Sequence, residues 1–278
     1  MRTSRGNVLI SLSMWALCGL GVAGCADVVS SASEPASIEF RAFAAPAVVI
    51  GDSLRDVSGV AIPVFAIVRN QQGDVLENAV VRYTYADAGR DTALVVDSLR
   101  GFVFARQPLR ATGTTARIAA RVGSSLQVLR TVLVTIRPDS VDRVGVPAID
   151  TLRVSAPDTG AVQATNTSLP LTVIVRHLDS TASTPVPSWL VTYELLYPAN
   201  PTNDSTNVAF LVNQQQKLSN IDTTDFSGNA ERFVRIRAGQ FPTGAAADSA
   251  VVRVTVSYQG KPLKGSPIRI VLPVKKKQ

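Results

Sequence analysis

One repeated pattern narrows what this chain can fold into. From Ile62 to Tyr85 the sequence reads IPVFAIVRNQQGDVLENAVVRYTY. Val64, Ala66 and Val68 alternate with Phe65, Ile67 and Arg69. Gln71, Gln72, Gly73 and Asp74 then break the run, and Val81, Tyr83 and Tyr85 alternate with Arg82 and Thr84. Period-two alternation on either side of a glycine-containing turn predicts paired strands with one buried face. The unit returns from Leu169 to Tyr197 as LPLTVIVRHLDSTASTPVPSWLVTYELLY. Ile67-Val68-Arg69 aligns with Ile174-Val175-Arg176, and Val81-Arg82-Tyr83 with Val191-Thr192-Tyr193. The expected organisation is two related β-domains, at 46–138 and 139–274.

Composition agrees with that reading and excludes several functions. An apolar share of 46% with 18% charged residues is globular rather than disordered. The abundance of Val, Thr, Ala and Ser favours strands. Net charge is +7. Without Arg2 and Arg5 it is about +5, and Lys275, Lys276 and Lys277 hold three of those charges, so a nucleic-acid surface is not expected. Both cysteines, Cys18 and Cys25, lie near the N-terminus, so the body has no disulfide or thiolate metal site. His177 is the single histidine, which rules out a histidine-cluster metal site. No cofactor is expected.

Arg2 and Arg5 precede an apolar run from Val8 to Val22, followed by Ala23, Gly24 and Cys25. A basic start, a short apolar stretch and small residues at the end have the order of a secretory signal. The run is short for a membrane-spanning helix. Val22-Ala23-Gly24-Cys25 also resembles the lipobox of bacterial lipoproteins. The resemblance implies a signal peptide at 1–24, cleavage before Cys25 and acylation of that cysteine. The membrane is then a partner through lipid on Cys25. Ala26 rather than Asp after the cysteine implies the outer membrane. Residues 25–45, with Pro35 and Pro46 nearby, read as a flexible tether in which Ser37 to Phe43 can already form a short strand, and 275–278 as a basic tail.

Within the body, about seven short strands with frequent turns in the first half predict a β-sandwich, and the repeated unit extends this to an all-β fold of two tandem sandwiches. Gly51-Asp52, Gly73 before Asn78-Ala79-Val80, Val96-Asp97 before Gly101, and the Gly113–Gly123 stretch resemble bacterial immunoglobulin-like domains of invasin-type adhesins. Thr223-Thr224-Asp225-Phe226-Ser227-Gly228-Asn229-Ala230 resembles the Thr-Asp-x-x-Gly-x-Ala segment of the same group. Trp189, Val191 and Tyr193 are expected to centre the second core. On that basis Trp189→Ala is expected to cost about 3–5 kcal/mol there and leave the first domain unaffected.

The second half carries the longer loops, 177–188, 198–206 and 213–220, and His177, Asp179, Asn203, Asp204 and Gln214 are its candidate binding residues. His177 with Asp179 has the composition of a general base and its orienting group, but no nucleophile motif accompanies it, and no enzyme is expected. Asp222 and Asp225 could offer oxygen ligands to Ca²⁺, without the spacing of a calcium loop. The expected function is a non-catalytic envelope lipoprotein whose modules space or bind an envelope or extracellular protein or glycan. The alternative is an accessory component that positions an envelope enzyme or secretion complex.

Overall fold

The computed structural model describes residues 33–43, 45–87, 94–106, 114–145, 151–154, 166–180, 182–199, 202–237 and 249–276. The first half carries β1 (Ser37–Phe40), β2 (Ala47–Val49), β3 (Ala66–Arg69), β4 (Arg82–Tyr85), β5 (Leu94–Val96), β6 (Val103–Ala105), β7 (Thr114–Val122) and β8 (Leu126–Thr135). The second carries β9 (Ser140–Arg143), β10 (Leu152–Val154), β11 (Leu171–Leu178), β12 (Ser183–Pro185), β13 (Leu190–Tyr197), β14 (Ala209–Val212) and β15 (Ile221–Thr223). It continues with β16 (Asn229–Ile236), β17 (Ser249–Thr255), β18 (Ser257–Tyr258), β19 (Lys261–Pro262) and β20 (Ile268–Lys276). The fold is all-β, with two sandwiches in tandem.

Both halves follow one plan. In the first, β2–β8–β7–β4 form a sheet that packs over the pairs β1–β3 and β5–β6. In the second, β10–β20–β17–β13–β15 pack over β12–β11–β16–β14, with β9 added to β11. The opening segment of each half switches sheets. β1 lies antiparallel on β3 and β2 parallel on β8, while β9 lies antiparallel on β11 and β10 parallel on β20. Three further pairings correspond: β4–β7 with β13–β17, β7–β8 with β17–β20, and β5–β6 with β14–β16.

The alternation seen in the sequence builds these cores. Ala116, Ile118 and Ala120 on β7 and Val132 and Val134 on β8 line the inner face of the first ladder, and all five side chains are fully buried. Val252 and Val254 on β17, with Ile270 on β20, do the same in the second. The aligned tyrosines hold equivalent posts. Tyr83 on β4 is buried, and its hydroxyl accepts the Ala66 N–H from the facing sheet at 3.0 Å. Tyr193 on β13 is fully buried, and its hydroxyl donates to Ala230 O on the facing sheet at 2.8 Å. Each ring fills the space between sheets while its hydroxyl satisfies a backbone group that would otherwise be buried unpaired.

Three expectations are corrected. The tether bounds of 25–45 run too far: the short strand expected within 37–43 forms as β1, and Phe40, Phe43 and Ala45 pack against the first core, because alternating Ile38 and Phe40 have a β3 edge to pair with. The first sandwich therefore begins before residue 46. Lys275 and Lys276 of the expected tail lie in β20, opposite Arg153 and Val154 of β10. Trp189 is not the centre of the second core. It is partly buried at the end of that core nearest the first domain, and Tyr193 takes the central place.

Candidate functional site

The most constrained polar cluster lies where the two sandwiches meet. The chain crosses over within a few residues. Thr135, the last residue of β8, is fully buried, and its hydroxyl donates to Pro187 O of the second domain at 3.0 Å. Ile136 packs against the second core, and the Asp139 N–H donates to Arg176 O. A second crossing is made through space. β18 and β19 are joined by Gln259 and Gly260, whose φ values of 50° and 75° form a tight hairpin turn. That turn is pressed onto the 56–60 loop of the first domain. A Cβ placed on Gly59 would fall inside the Gln259 and Gly260 backbone, and one on Gly260 would strike Ser58 O at 2.8 Å.

Asp52 anchors this contact. It follows β2 and is 7% exposed. Its Oδ1 accepts the Ser53 N–H at 2.7 Å and Arg55 Nη2 at 2.8 Å. Its Oδ2 accepts Arg55 Nε at 2.8 Å, the Tyr258 hydroxyl at 2.7 Å and Gln259 Nε2 at 3.0 Å. Burial alone would push the carboxyl up. Hydrogen bonds from Arg55, Gln259, Tyr258 and the Ser53 backbone outweigh it and hold Asp52 well below the usual carboxylate range. Burial and the bond to Asp52 push the Tyr258 phenol above its ordinary value. The Trp189 ring meets Tyr258 edge-on at 5.8 Å and donates Nε1 to Ser257 O at 3.2 Å. The Arg137 guanidinium lies over the Tyr258 ring at 5.7 Å. A shallow groove with room for ≈ 80 Å³ of water-sized occupants runs beside the contact, between Pro46 and Val57 on one side and Trp189, Leu190 and Tyr258 on the other.

Acid is expected to loosen this junction. A carboxyl depressed by folding contributes stability that is complete above the ordinary aspartate pKa of about 4 and is lost as pH falls toward the lowered value. Trp189 is the one tryptophan after residue 24 and packs on Tyr258, so its emission reports the contact. A red shift is expected on lowering pH below about 4, before the cores unfold. If the stability difference between the native protein and Asp52→Ala in denaturant unfolding is the same at pH 5 and at pH 2.5, Asp52 does not have this role.

The candidate residues from the sequence do not converge on one site. Cys25 lies outside the described residues. His177 is in β11 rather than in a loop, and its carboxylate neighbour is Asp139, not Asp179. Nδ1 sits 2.5 Å from Asp139 Oδ2 without meeting hydrogen-bond geometry. Asp139 also receives Arg137 Nε at 3.1 Å, so this group belongs to the interdomain crossing. Asp179 accepts the Ser180 N–H in the β11–β12 turn. Asn203 pairs both amide atoms with the Leu211 backbone, as a neighbouring strand would. Asp204 accepts the Thr206 N–H, and that bond with the Thr206 hydroxyl lowers its carboxyl. Gln214 is exposed in the turn after β14. The two calcium candidates also have separate partners. Asp222 is paired with buried Arg232 at 2.9 Å, whereas Asp225 accepts the Ser227 and Asn229 N–H groups of its own turn.

Asp52 and its partners were missed in the sequence because Gly51-Asp52 reads as a turn. The available signal was Tyr258, which extends the inward face of Val252, Val254 and Val256 past the end of its strand and directly precedes Gln259-Gly260.

No family model matches the chain, and no curated protein matches it in sequence. Solved structures that the chain matches include human protocadherin-24 EC1-2, at 13% identity over 88% of this chain and 100% of that one, with a TM-score of 0.28. Domains 5-6 of the S-layer protein SbsC give 14% identity over 88% and 99%, with a TM-score of 0.27. The Yersinia pseudotuberculosis adhesin InvE gives 13% identity over 87% and 61%, with a TM-score of 0.29. Likeness at this level says nothing about what the chain binds.

Proposed function

We propose that the protein is a non-catalytic lipoprotein of the bacterial envelope, anchored through Cys25, whose paired sandwiches form a stiff spacer that presents a binding surface to an envelope or extracellular protein or glycan. The observation that carries the spacer reading is the junction. Two covalently successive domains are also joined through Asp52, Tyr258 and Gln259, so their relative orientation is fixed by more than a linker. Immunoglobulin-like modules of the kind the sequence resembles are suited to that work, because their cores need no ligand to form. The lipobox resemblance supplies the anchor, and Ala26 favours the outer membrane.

Two measurements test the two parts. Expressed with its own N-terminus in a bacterium and fed a clickable fatty acid, the protein is expected to take up label and pellet with membranes, and Cys25→Ser to lose both. A Cys25→Ser variant that still pellets would make residues 8–22 the anchor instead. For the spacer, spin labels placed one in each sandwich are expected to give a single narrow distance distribution, and a broad one would leave only a flexible tandem.

A further inference from the structure

We propose that the second sandwich carries a strand-addition site on the edge of β13, and that it takes an extended stretch of polypeptide from another protein. A cleft of ≈ 260 Å³ runs along four consecutive residues, Thr192 to Leu195, and faces Asn203, Leu211 and Asn220. A strand presents alternate residues to a cleft on its face, whereas consecutive residues line one that follows its backbone edge. Among the described residues, the ladder leaves this edge open. β15 pairs with β13 only from Leu190 to Thr192, and the Tyr193 N–H closes the ladder on Asn220 O at 2.7 Å. The chain before Asn220 then departs to the other sheet, where the Ser219 N–H donates to Leu211 O. In an antiparallel strand every second residue directs its N–H and C=O to the same side. The N–H and C=O of Leu195 therefore face the side that β15 has left.

The facing wall is preformed. Asn203 is held by its two bonds to the Leu211 backbone, which keeps the cleft from collapsing onto β13. The Glu194 carboxylate is engaged by Arg253, so it does not repel an incoming chain. A donor and an acceptor at strand spacing, beside a shaped slot, are matched by extended backbone. A sugar ring or a globular surface does not offer that spacing. Thr192, Asn203 and Asn220 fit small polar or β-branched side chains on the added segment. Thr192 and Tyr193 are already bonded to the chain of β15, so the open edge begins after Tyr193 and Leu195, the last residue in register with β17 before a bulge, supplies its donor and acceptor. This deepens the protein-binding part of the function proposed above and does not depend on the anchor, so the Cys25→Ser result bears on that reading alone.

The test uses a generic strand, acetyl-Thr-Val-Thr-Val-Thr-amide, titrated into the ¹⁵N-labelled body while amide shifts and hydrogen exchange are followed. The expected result is a saturable shift and slowed exchange centred on Leu195. N-methylation of the central peptide bonds is expected to weaken binding about tenfold, the effect of losing one or two backbone hydrogen bonds. Thr202→Trp, a change at an exposed residue on the cleft wall, is expected to abolish the shift without altering the melt. No perturbation of Leu195 at millimolar peptide would overturn the proposal. So would equal binding of the N-methylated peptide, or a response in this cleft to a chitooligosaccharide but not to the peptide. If Thr202→Trp does not fold, the N-methylated peptide decides alone.

Discussion

Asp52→Ala is expected to separate the unfolding of the two sandwiches. In the native chain the carboxylate receives hydrogen bonds from Arg55, Tyr258, Gln259 and the Ser53 backbone. Truncation leaves the Arg55 guanidinium without its counter-charge beside a half-buried phenol. The loss is expected to be about 3 kcal/mol, from charge-assisted bonds and an uncompensated cation, reduced because Arg55 is partly exposed. Three of the five side-chain bonds, from Ser53 and Arg55, lie within the first domain and two, from Tyr258 and Gln259, cross to the second, so the loss is shared between the first domain and the contact. Calorimetry of the native protein is expected to show closely coupled transitions. The variant is expected to show two, with the second domain's moving least. Asp52→Asn keeps the shape and one acceptor, so it should fall between the two. If Asp52→Ala melts as the native protein does, the network is a surface ornament and the domains are held by Thr135, Ile136 and the Gly59–Gly260 approach alone.

What the sequence made legible were the features that repeat at short range. The inward faces of β7 and β17 could be read from alternation because a half-buried strand imposes period two on its own side chains. Tyr83 and Tyr193 could be paired by alignment, and the fold places both between sheets. The junction was hidden because its partners are 206 and 207 residues apart, and no local period reports a contact between domains. Nearness in sequence also misassigned His177 to Asp179, when the short path through space runs to Asp139. Asn203 looked like a ligand because a loop asparagine has an amide to offer, yet both of its amide atoms are spent on Leu211. Trp189 illustrates the same limit. Its size argues for a core, but it stands immediately before β13, where the sandwich ends and the neighbouring domain begins. Trp189→Ala is therefore expected to be felt at the contact, contrary to the expectation of an effect confined to the second domain.

The largest single loss is expected from Tyr193→Ala. Its ring is fully buried in the second core beside its ladder partner Val254, and its hydroxyl reaches Ala230 O to close the gap between the two sheets of the second domain. Removing it takes away the burial and leaves a ring-sized void that two hydrogen-bonded sheets cannot fill by sliding together. The cost is expected to be about 3–5 kcal/mol, enough to unfold a domain of ordinary stability. Tyr193→Phe separates the parts. It keeps the ring and leaves Ala230 O unpaired, for about 1–2 kcal/mol. The phenol also gives a pH signature. Burial pushes its pKa far above the ordinary value, with the Asp222 charge adding to the shift. A group raised by folding stabilises fully below its unfolded pKa of about 10, and that contribution is lost as pH rises toward the folded value. Tyr193→Phe should therefore lose less stability than the native protein between neutral pH and pH 11. Denaturant unfolding at both pH values checks each claim. A Tyr193→Ala cost below about 1 kcal/mol would mean that the second core closes without its central ring.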